Sequence, residues 1–143
     1  MEWTFDIRSA LLVGAMLTLM IGLVLLVVGR ALSPAYRPSI HWWIGATLLQ
    51  PAGFVLLSLR DTLSPFLSIL VANAFVALGF AAYVVALRHF FRLPSGRGPL
   101  LALVLLAVAI SFHWGLVQPD LTRRLIAISV VLAVVLGASA AII

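Results

Sequence analysis

Few side chains in this 143-residue sequence can do chemistry, and they are widely spaced. The histidines are His41, His89 and His113, and the acids are Glu2, Asp6, Asp61 and Asp120. Two amides, Gln50 and Asn73, sit inside long apolar runs. The absence of cysteine excludes disulfides, thiolate metal sites and cysteine nucleophiles. No G-x-S-x-G turn offers a serine nucleophile, no H-E-x-x-H offers a zinc site, and no glycine-rich loop offers a phosphate cradle. No acid falls within an apolar run, so a proton relay or carboxylate pair has no members there. His41 and His89 come near one face and are the pair a haem or metal would use, yet no second shell is visible around them. No cofactor is expected, and catalysis by this chain is not.

Binding is a different matter. Gln50 is followed by Pro51, which removes a helix hydrogen bond, so a freed carbonyl and an amide would both need partners in hydrocarbon. The expectation is a kink there, serving either packing or a site. Asn73 shares a helix face with Ala77 and Ala81 at i, i+4, i+8 spacing, as interhelical glue or as a ligand contact. His113 and Trp114 stand close to a membrane interface, as a belt pair or as ligand contacts. Gln50, Asn73, His113 and Trp114 are thus the candidate ligand-binding residues.

The elements that must position them are apolar helices. Hydrophobic residues make up 64% of the chain and charged residues 9%, with a mean hydropathy of +1.25. Soluble domains are nearer half apolar and a quarter charged. The composition predicts an all-α, polytopic transmembrane bundle with five spans, at about residues 10–29, 41–59, 64–92, 100–117 and 121–143. They form a single integral membrane domain over residues 1–143. The N-terminus lacks a positive n-region and a cleavage site, so the first run is a retained helix. Arg30 to Ile40 reads as a loop, Trp42 and Trp43 as an interfacial anchor, and Ser64-Pro65 as a helix start.

Small residues recur every fourth position in four segments: Ala10, Gly14, Thr18, Gly22; Asn73, Ala77, Ala81; Ala107, Ser111, Gly115; and Ser129, Ala133, Gly137, Ala141. Such strips let helices approach closely, which is what drives association in lipid. The last strip is assigned to helix packing or to a homodimer face. Asp120 is expected to cap the fifth helix.

All nine basic residues are arginine and the formal net charge is +5. In a soluble protein that charge would raise nucleic acid as a partner. Here the arginines stand at segment ends, so the expected partner is the lipid bilayer, with no nucleic acid. Arg30, Arg37, Arg88, Arg92 and Arg97 fall on one side, and Arg8, Arg60, Arg123 and Arg124 on the other with all four acids. The positive-inside rule then puts the N-terminus outside. The chain ends on Ala-Ala-Ile-Ile without a flanking charge, and a longer native chain is expected.

One further pattern spans most of residues 40–130. Trp42-Trp43, Leu59-Arg60-Asp61, Pro65, Leu67-Ser68-Ile69, Ala72-Asn73, Leu78-Gly79, Tyr83 and Arg88-His89-Phe90 follow in that order. Pro119-Asp120, Arg123-Arg124 and Ser129 come later. This resembles the multi-pass N-terminal membrane region found upstream of the catalytic domain in many bacterial diguanylate cyclases. The resemblance implies an inner-membrane anchoring and sensory domain, regulating a cytoplasmic signalling output that makes cyclic di-GMP. A small-molecule or membrane signal of unknown identity would be its input. The sequence departs from that family in having no Gly-Gly-Asp/Glu-Glu-Phe motif, so this chain alone would make no cyclic di-GMP. The competing expectations are a small multi-pass carrier and a passive anchor.

Overall fold

The computed structural model describes residues 6–94 and 96–140. Helix α1 spans Ile7–Ala31, α2 Arg37–Ser58, α3 Ala72–Phe90, α4 Arg97–Phe112 and α5 Leu121–Ala140. A π-helical segment, Phe66–Val71, leads into α3, and a second, His113–Val117, follows α4. With these extensions and a 3-10 turn at Pro34–Tyr36, the five rods are 20–25 residues long. Each can cross ~30 Å of hydrocarbon at about 1.5 Å per residue. The described residues contain no strand. The chain is an all-α bundle of five helices long and apolar enough to span a membrane.

The placement of large and small side chains is inverted relative to a soluble domain. Met16, Met20, Val27, Leu105 and Ile126 lie open on the outer surface. Ala46, Thr47, Ala72, Ala86 and Ser111 are fully buried. Lipid tails are as apolar as leucine, so burying leucine gains little there, while small residues allow backbones to come close.

Helix α1 lies on α2 along the strip that begins at Ala10. A Cβ at Gly22 would fall 2.5 Å from Thr47 Oγ1, and one at Gly29 would fall 2.8 Å from Ile40 Cγ2. Helix α2 lies on α3 through Gly53 and Gly79. A Cβ at Gly53 would meet the Ala72 carbonyl oxygen at 2.8 Å, and one at Gly79 would meet Gln50 Cβ at 3.1 Å. The Ser39 hydroxyl donates to the Ala86 carbonyl across the same seam at 2.7 Å. On its other side α3 meets α4 and α5 in a cluster of Ala77, Ala81, Val84, Val104, Ala107 and Val131. Helix α3 is therefore central, and α1 and α5 are the outer members.

Several boundaries differ from expectation. Helix α2 begins at Arg37 rather than His41, because Pro38 sits in its first turn, where a missing N–H costs nothing. Helix α4 begins at Arg97 rather than Leu100, with Pro99 in the same role. Helix α3 stops at Phe90 rather than Arg92. Arg92 turns into the left-handed region at φ 58°, and the Leu93 N–H donates back to the Arg88 carbonyl at 2.8 Å. That is the six-to-one bond of a Schellman ending, with arginine where glycine is usual. Helix α2 runs unbroken through Pro51. Ser64 and Pro65 do start a rod, but its first turns are π-helical. The Ser64 carbonyl, not its hydroxyl, is engaged there, accepting from the Ser68 N–H at 3.0 Å and the Ser68 hydroxyl at 3.1 Å.

Candidate functional site

The four candidate binding residues divide into two places. Gln50 is buried on α2, where its Cβ rests against Gly79 of α3. Its carboxamide makes no hydrogen bond among the described residues. Asn73 is on a different face of α3. It is six residues before Gly79, about 240° around the helix at 100° per residue. Its Nδ2 donates to the Ile69 carbonyl one turn back at 2.7 Å. Both earlier readings of Asn73, interhelical glue and ligand contact, thus meet a third arrangement, in which the amide group bonds within its own helix.

Ile69 belongs to the first π-helical segment, where widened turns leave carbonyls out of the regular i to i−4 ladder. The second segment holds His113, Trp114 and Gly115. The two segments touch: a Cβ at Gly115 would fall 2.7 Å from Ile69 Cγ2 and 3.3 Å from an Arg124 guanidinium nitrogen. Asn73, His113 and Trp114 accordingly stand at the same level of the bundle, around paired irregular turns. The rings of His113 and Trp114 pack edge to face, 5.5 Å between centres. His113 is exposed and Trp114 half-buried. Ser111, just inside this level, is fully buried and returns its hydroxyl to the Ala107 carbonyl at 2.8 Å.

The proposed packing strip on α5 faces away from the bundle. Val131 and Val135 are the buried residues of α5, whereas Ser129, Ala133 and Gly137 are exposed. A Cβ at Gly137 would meet nothing within 4 Å. Ala141 lies outside the described residues. Asp120 caps this helix as expected, accepting from the Arg123 N–H at 3.0 Å. Asp6 does the same for α1, accepting from the Arg8 N–H at 3.0 Å, which the sequence had not singled out.

The two ends of the bundle differ in charge. At one end Arg8 pairs with Asp61, and Arg123 lies 3.2 Å from Asp120. The three described carboxylates are all there. The other end carries Arg30, Arg37, His41, Arg88, His89, Arg92 and Arg97 with no described carboxylate. Sequence order had given this asymmetry. Grooves open at the cationic end, two of them between helices, and these were not legible in the sequence. One, of about 380 Å³, lies between α1 and α2, beside Arg30, Arg37 and His41. The other, of about 360 Å³, lies between α2, α3 and α4 and is apolar except for Arg97. His89 Nε2 is buried at this end without a hydrogen-bond partner among the described residues. No group of three His, Cys, Asp or Glu side chains among the described residues is placed to hold a metal ion.

Comparison with known proteins returns no match to a protein-family model, to a curated protein or to a solved structure.

Proposed function

We propose that this chain is a membrane-embedded anchoring and sensory domain that regulates a cytoplasmic signalling output, such as a diguanylate cyclase. The observation that carries the reading is the seating of α5. This helix is held to the bundle through a seam centred on Val131 and Val135, and its small-residue face is left bare. A thinly attached fifth helix can shift against a fixed α2–α3 core, and a bare small-residue face suits a second copy of the same helix. It also follows, after Gln118–Asp120, on the second π-helical segment, which holds His113 and Trp114. A ligand held there would act only by favouring one of two packings of α5 over the other. The resemblance of residues 40–130 to cyclase membrane regions supports the same reading, as does the cationic end, which the positive-inside rule directs to the cytoplasm of a bacterial inner membrane.

The test joins the chain at Ile143 to a cyclase domain and follows cyclic di-GMP in cells together with dimerisation in lipid. Gly137→Leu is expected to weaken the dimer and change output by about fivefold, the lower end of ordinary allosteric coupling. Val13→Leu, on exposed α1, is expected to change neither. Unchanged dimer and output with Gly137→Leu would sink the regulatory reading. A passive anchor would be indicated if Gln50→Leu and Asn73→Leu also left output untouched.

The paired π-helical segments favour one second reading, a small carrier, because interrupted helices frame the sites of many transporters. Solute flux in reconstituted vesicles, without any output domain, separates the two.

A further inference from the structure

We propose that the groove between α2, α3 and α4 retains one anionic phospholipid, with an acyl chain along its apolar wall and the phosphate at Arg97. The groove's volume of about 360 Å³ is at the lower end of the ~300–1,000 Å³ usual for small-molecule sites. Its walls include Trp42 and Leu49 from α2, Leu78 and Ala82 from α3, and Leu101 from α4. Arg97 is its one charged wall.

Position along the helices grades this groove from polar to apolar. Trp42 stands in the second turn of α2 and Arg97 opens α4, both at the cationic end. Leu49 lies two turns deeper in α2, about 10 Å along the axis. That gradient is the outline of a lipid: charged at the surface, apolar toward the midplane. The small side chains of Ala81 and Ala82 keep the deep part open, since any longer residue there would fill it.

Charge sets the head group. The Arg97 guanidinium lies 5.3 Å from the centre of the Trp42 ring, so a cation–π contact holds it at the groove mouth. Its side chain is exposed and has no carboxylate partner among the described residues, whose acids are all at the opposite end. Its planar donors are therefore not taken up by a carboxylate, and a guanidinium binds phosphate through paired hydrogen bonds. A net-negative head matches an end whose described charged residues are all cations. A zwitterionic head would bring its own ammonium into that field. A free phosphate could use Arg97 but would gain nothing from the apolar wall. The inference depends on the chain spanning a bilayer and not on which output it serves.

The experiment is native mass spectrometry of the full chain in neutral detergent, with phosphatidylglycerol and phosphatidylcholine of identical acyl chains. One phosphatidylglycerol should be retained per chain, at least roughly fivefold in preference to phosphatidylcholine. Arg97→Gln should abolish the preference. Leu101→Trp, a bulky change at an exposed position on the wall, should abolish retention with Arg97 intact. Arg92→Gln removes a charge from the same end away from the groove and should change nothing. Glycerol phosphate, the head without tails, should not displace the lipid. Equal retention of the two lipids, an equal loss with Arg92→Gln, or displacement by glycerol phosphate would each overturn the proposal. Helical circular dichroism of the variants separates lost binding from lost fold.

Discussion

At Gly53 the space for one extra methyl group is already taken by backbone. A Cβ there would lie 2.8 Å from the Ala72 oxygen and 3.1 Å from the Val76 nitrogen, so α2 and α3 would have to part. Gly45, two turns earlier on the same helix, has nothing within 4 Å of the equivalent position. Gly53→Ala is therefore expected to cost about 1–3 kcal/mol, the range for overpacking. Gly45→Ala is expected to be neutral or to gain up to about 1 kcal/mol, since alanine is the better helix former. Unfolding of the two variants in detergent, by heat or by titrated denaturing surfactant, checks the pair; equal effects would mean that the α2–α3 seam is not close-packed. The sequence could not single out Gly53, because a lone glycine in an apolar run carries no period. The strip of Gly14 and Gly22 did have a period, and it lies on α2 at Phe54 and Thr47. The Ser39 to Ala86 bond joins positions 47 residues apart, and nothing local in either segment announces it.

The helices themselves were legible because apolar length alone specifies a membrane rod, and each of the five was placed to within a few residues. Their irregular turns were not, because a π-helical turn differs from an α-helical one only in which carbonyl each N–H chooses. Pro65 and Pro119 flank the two segments, but proline marks many ordinary helix ends as well. A deletion test follows from the geometry. A π turn accommodates one residue more than the surrounding helix, so removing one there leaves the flanking turns in register. Removing one from regular helix rotates everything beyond it by about 100°. Deleting Leu67, whose side chain is exposed within the first segment, should preserve helicity and thermal stability in detergent. Deleting Leu78, similarly exposed but in the regular part of α3, should not, because it turns Ala81, Val84 and Val85 away from α4 and α5. Comparable loss in both would argue that the π segment carries no spare residue. Helix α5 shows the other limit of sequence reading. Its small-residue strip was visible, yet only the burial of Val131 and Val135 reveals that the strip faces outward.

For the molecule as a whole, the charges decide how it sits in a membrane. The arginine counts alone differ by one between the two ends, five against four, which is a weak bias. Pairing sharpens it. Arg8 and Arg60 share Asp61 and Arg123 has Asp120, so three of the four arginines at that end lie beside a carboxylate. At the other end Arg30, Arg37, Arg88, Arg92 and Arg97 face no described carboxylate, and Arg88 instead donates to the Pro94 carbonyl. Insertion responds chiefly to positive residues in short loops, and acids contribute little on their own. The paired arginines still carry a lower net charge across the membrane surface than the free ones. The bundle is expected to insert with the cationic end in the cytoplasm and the N-terminus outside. A periplasm-active reporter fused after Arg92 should be silent, and the same reporter fused after Asp61 or Asp120 should be active. Replacing Asp61 and Asp120 with asparagine tests the pairing argument directly. If the acids act only by offsetting Arg8, Arg60 and Arg123, the double variant should raise the silent signal after Arg92 and lower the other two, as the population becomes mixed. An unchanged pattern would mean that the five unpaired arginines set the orientation without help from the opposite end. A reversed pattern in the parent chain would point α5 outward, and an output domain fused directly at Ile143 would then lie outside the cytoplasm.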